Sequence, residues 1–90
     1  MESNCNYPIQ LFCVVSTLGD MTPIKFRYED PEHHLITVQI DAVHSHKEIC
    51  TGGCRAILYT CSAVIEAQRT LFDLKYNIST HTWSFIRKIY

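Results

Sequence analysis

The stretch "FDLKYNI", Phe72 to Ile78, decides the fold: Phe72, Leu74, Tyr76 and Ile78 are apolar, and Asp73, Lys75 and Asn77 between them are polar. A period of two puts successive side chains on opposite faces of a strand, one dry and one wet. Downstream, "NISTH" supplies turn residues, and "TWSFIRKIY" returns as a strand with Trp83 and Phe85 on one face. Upstream lies an ambiguous segment, "SAVIEAQRTLF". Ala63, Glu66, Ala67 and Gln68 tolerate a helix, whereas Val64, Ile65 and Thr70 prefer a strand. A tight turn around Ala67 and Gln68 is expected there, with a helix over 63–72 left open.

Further toward the N-terminus the same signals repeat. "CRAILYTCSAVI" reads as a strand, preceded by "TGG", where Gly52 and Gly53 offer positive φ for a three-residue hairpin loop over 51–53. Before it, "LITVQIDAVHSHKEI" places Ile36, Val38 and Ile40 on one face, then Val43 and Ile49 at the opposite parity. One unpaired residue inserted near Asp41 and Ala42 would produce that shift, and such bulges bend long strands. Ile24, Phe26 and Tyr28 alternate with Lys25 and Arg27 in a strand ended by "EDPEHH"; "IQLFCVVST" forms a hairpin with it across Gly19 and Asp20. The expectation is an all-β single domain over 1–90. Six or seven strands form a small antiparallel meander, curled into a barrel-like or strongly bent sheet to protect its edges.

Composition bounds the function. Ninety residues make one small core. A net charge of −1 lacks the basic field of a non-specific nucleic-acid binder, so nucleic acid is unsupported by charge. No apolar run approaches the roughly 20 residues of a membrane-spanning helix, and no membrane partner is expected. "MESNCNYPIQLFCVV" has an acidic start and no basic n-region, so it does not read as a secretory signal; a cytoplasmic location with reduced thiols is expected. Five scattered cysteines do not resemble a secreted disulfide framework.

The densest cluster of reactive side chains is "HSHKEICTGGC", with His44, His46, Cys50 and Cys54. With a three-residue loop, Cys50 and Cys54 would face each other across the hairpin base, a geometry open to a disulfide or to two metal-ligating thiolates. At about 3.3 Å per residue, however, His46 lies roughly 13 Å from Cys50 along an unbroken strand, too far for one tetrahedral ion. Incidental cysteines flanking a hairpin are therefore expected, with no cofactor, and a metal- or redox-responsive pair is the alternative. Cys13 and Cys61 lie in apolar runs and are expected in the core. His33 and His34 follow Pro31 and are expected in solvent.

No nucleophile elbow, phosphate loop, "HExxH" or dinucleotide fingerprint occurs, so an enzyme is not expected. Aromatic residues make the better case for binding. Tyr59, Tyr76 and Trp83 fall on strands, where exposed rings would serve a protein partner, self-association as a homodimer or, as a second alternative, single-stranded nucleic acid.

The segments "LFCVVST", "FRYED", "TVQID" and "LFDLKYN" to "HTWSF" resemble those of a group of short bacterial β-rich proteins without assigned activity. That resemblance spans most of the chain and implies a β fold, but no activity. The Cys50 to Cys54 hairpin is the part that departs from it. The expected function is a small non-catalytic binding or interaction module, protein-binding or self-associating.

Overall fold

Six strands form wherever β-branched and aromatic residues alternate with polar ones: β1 (Tyr7–Val15), β2 (Met21–Glu29), β3 (Leu35–Thr51), β4 (Cys54–Ile65), β5 (Gln68–Asn77) and β6 (Thr82–Lys88). The computed structural model describes residues 6–89. Every strand runs antiparallel to its sequence neighbour, and β1 also pairs with β6 through Tyr7↔Phe85, Pro8↔Ser84 and Ile9↔Trp83, closing a six-stranded barrel in meander order. The segment over 63–72 is strand, turn and strand, with no helix. Its turn consists of Glu66 and Ala67, one residue earlier than expected, because Gln68 already pairs with Ile65.

The bulge near Asp41 is present, and a second follows it. Register jumps between Ile40 and Ala42 and again between Val43 and Ser45, so Asp41 and His44 each lack a partner on β4. Two insertions bend β3 twice. Val43 consequently shares a face with Cys61 in the barrel, while Ile49 lies on the other face, opposite Ala56.

The interior is filled by Phe26, Val38, Tyr59, Cys61, Ala63, Phe72 and Leu74. Phe72 packs on Phe26 and Phe85 with ring centroids 5.6 and 5.5 Å away, and each ring removed from water stabilises the fold by about 1.5–3 kcal/mol. Cys61 is in this core as expected; Cys13 is exposed. Burial, reinforced by Asp73, pushes the Cys61 thiol up to about 12.

Asp73 breaks the dry-wet alternation. It points away from the barrel interior yet is buried, its carboxylate held between two donors. Thr60 Oγ1 donates to Oδ1 over 2.7 Å, and Arg87 Nε donates to Oδ2 over 3.0 Å. The row Thr60–Asp73–Arg87 crosses three adjacent strands, so the outer wall carries its own polar seam.

Candidate functional site

The loop joining β3 to β4 contains two residues, not the expected three. Thr51 pairs with Cys54 and Cys50 with Arg55, leaving Gly52 and Gly53 at φ 57° and 82°, the pair of left-handed conformations of a type I′ turn. That one-residue change in register puts Cys50 and Cys54 on opposite faces of the hairpin, so they do not face each other across its base. Both are free thiols. The histidines are engaged elsewhere: His44 Nε2 lies 2.9 Å from Ser62 Oγ, and His46 stacks on Tyr59 with centroids 5.7 Å apart. The four side chains of the cluster therefore do not converge on one point.

Among the described residues, the ligating groups that do come together are Asp30, Glu32 and His34, whose donor atoms lie within 4.8 Å of one another. They belong to the turn after β2. Asp30 Oδ1 accepts the backbone N–H of Glu32 at 3.0 Å and of His34 at 2.8 Å, an Asx turn that accounts for the arrangement. Pro31 marks a turn in the sequence, but the i, i+2, i+4 convergence depends on backbone curvature that spacing does not show.

Of the three rings expected on a partner surface, Tyr59 is core, 3% exposed, which corrects that expectation. Burial, then Cys13, Cys61, Asp20 and Tyr76, hold its hydroxyl above the ordinary value. Trp83 sits 5.3 Å from Tyr59 and 5.0 Å from Tyr76, and both outer rings are half-buried against the core. Trp83 and Tyr76 thus pack on one end of the barrel and still leave part of each ring outside, as expected of them. Tyr76 is tied further by its hydroxyl, 2.9 Å from His81 Nδ1.

Among the described residues, most of the exposed large apolar side chains lie on the β1–β2 hairpin. Phe12, Val14, Val15, Leu18 and Ile24 are all exposed, Val14 at 58% and Leu18 at 88%. Beyond Ile9, β1 separates from β6, and among the described residues Gln10 to Val15 have no ladder partner on that side. An open cleft of about 540 Å³, lined by Gln10, Leu11, Phe12 and Trp83 among others, runs beside the separation. Among the described residues, other strand segments also lack a ladder partner on one side, and two of them lie where β2 and β3 part. Met21 to Ile24 of β2 contains Pro23, which cannot donate to a ladder, and Asp41 to Cys50 of β3 carries Asp41, Lys47 and Glu48. Both carry features that discourage pairing. The β1 edge, "QLFCVV", contains neither charge nor proline.

At the other end of the barrel a mouth of about 430 Å³ opens between the β2–β3 and β4–β5 turns. Phe26, Phe85 and Ile9 line it together with Tyr7 and Tyr28, and Glu66, Asp30 and Lys88 bring charge to it. Tyr7 meets Tyr28 edge to face at 6.3 Å and donates its hydroxyl proton to the Glu29 carbonyl. Burial first, then Glu66, Asp30 and Tyr7, raise the Tyr28 hydroxyl above its ordinary value. Sequence alternation identifies Phe26 and Tyr28 as sharing a face, but the joining of five strand ends into one mouth is a product of closure. The chain matches no family model, no curated protein and no solved structure.

Proposed function

We propose that the chain is a non-catalytic binding module of the cytoplasm that associates with a second copy of itself through the Gln10–Val15 edge of β1. The supporting observation is that the apolar β1 edge lacks both a partner strand and a blocking residue, whereas the β2 segment has Pro23 and the β3 segment has charges. Two such edges related by a two-fold axis pair antiparallel, each satisfying the backbone groups of the other. Val14 and Phe12, which share the outer face of the hairpin, then gain a neighbouring copy as cover. Lys25 and Arg27 lie over the Phe12 ring at 4.8 and 5.2 Å.

Sedimentation equilibrium over about 1 to 100 µM is the test. A monomer–dimer equilibrium is expected for the unaltered chain, and Val14→Lys, which places a charge at the edge, is expected to weaken dimerisation at least tenfold while the fold is retained by circular dichroism. A strict monomer across that range overturns the proposal, as does a dimer indifferent to Val14→Lys.

A further inference from the structure

The barrel mouth is a second cavity, distinct from the cleft beside the β1 edge. It lies beside the Tyr7 end of β1, and none of Gln10 to Val15 is among its lining residues. Its size of about 430 Å³ is that of a small-molecule site, and barrel mouths are among the places where such sites form. Phe85 and Tyr28, both half-buried, present apolar ring surface to it, backed by the buried Phe26 at centroid distances of 6.0 and 6.2 Å. Ring faces attract cations, and several rings around one cavity strengthen that attraction.

The charges around the opening point the same way. Two carboxylates, Asp30 and Glu66, face one ammonium, Lys88. Asp30 is already occupied by the backbone N–H groups of its own turn and by His34, 3.5 Å away. Glu66 is in no ion pair among the described residues. It is also held at φ 53°, next to Ala67 at φ 65°, in a turn where most sequences place Asn and Gly. A non-glycine residue in that region is destabilising, and a carboxylate kept there at the rim is consistent with a binding role.

We propose that the mouth binds a small organic cation, an aryl-alkyl amine, with its ring against Phe85 and Ile9 and its ammonium group paired with Glu66 beside Tyr28. Phenethylamine and 3-phenylpropionate, which offer similar bodies with opposite charge, separate this from mere apolar uptake. Each is titrated into the isotope-labelled full chain, and amide shifts are followed by NMR. Phenethylamine is expected to shift residues around the mouth and to bind at least tenfold more tightly than 3-phenylpropionate, a preference of about 1.4 kcal/mol. Glu66→Gln, which leaves the turn and its rings in place, is expected to abolish that preference. Equal or reversed affinities, a preference unchanged in Glu66→Gln, or no shifts at the mouth up to about 10 mM ligand would each overturn the proposal.

Discussion

Arg87 and Asp73 form an ion pair on the outer wall of the barrel in which the two partners are very unequally buried: the Asp73 side chain is 3% exposed and that of Arg87 49%. The arginine covers the carboxylate from water while keeping its own far edge hydrated. The carboxylate therefore depends on two side chains from neighbouring strands, Thr60 on β4 and Arg87 on β6.

Removing Arg87 should accordingly cost more than its own exposure suggests. Arg87→Ala leaves a buried carboxylate with Thr60 alone, and a loss of about 1–3 kcal/mol in urea unfolding is expected. Combining it with Asp73→Ala should recover part of that loss, because the charge that needed a partner is then gone. Strictly additive losses would show that the two side chains are not coupled.

The Glu66–Ala67 turn predicts a stabilising substitution. Ala67 sits at φ 65°, a conformation costing an L-residue roughly 1–2 kcal/mol. Ala67→Gly removes the steric part of that cost at the expense of greater freedom in the unfolded chain. A net gain of about 0.5–1 kcal/mol, or a few degrees in Tm, is expected by calorimetry. A lower Tm would mean that the turn is not strained in solution.

Alkaline pH should destabilise the barrel through Cys61. Its thiol is pushed from the ordinary 9.0 to about 12 in the folded state, so between those values the unfolded chain loses the proton first. Fewer protons on the unfolded chain means that stability falls as pH rises through this window. Tyr59 and Tyr28, also raised, add to the fall at its upper end. Cys61→Ala, although less stable at neutral pH, should show a shallower decline above pH 9.0, measured by urea midpoints. Parallel declines in the two proteins would remove Cys61 as the cause.

The hairpin register predicts that Cys50 and Cys54 act separately. Cobalt(II) added to the reduced protein should produce no intense thiolate-to-metal absorption assignable to the pair, and mild oxidation should yield no bridge between them in peptide mapping. A Cys50–Cys54 disulfide formed without loss of the fold would require a different register at Gly52 and Gly53.

Much of this architecture is written locally. Alternation in Phe72–Ile78, the glycines at 52 and 53 and the parity break at Asp41 each act over a few residues, and they sufficed for an antiparallel meander expected to curl. Backbone sterics and side-chain period set such features before any distant contact forms. Tertiary structure decided what local pattern leaves undetermined. Pairing of Tyr7 with Phe85 closes the barrel, burying Tyr59 at one end and gathering Tyr28, Glu66 and Lys88 around a mouth at the other. The same closure stops at Ile9 and leaves the rest of β1 with a bare edge. Asp73, polar and in a wet position by parity, became buried because Thr60 and Arg87 arrive beside it from other strands. Local chemistry specifies which residues share a face, whereas burial and convergence depend on which distant strands meet, a choice made by the packing of the whole core.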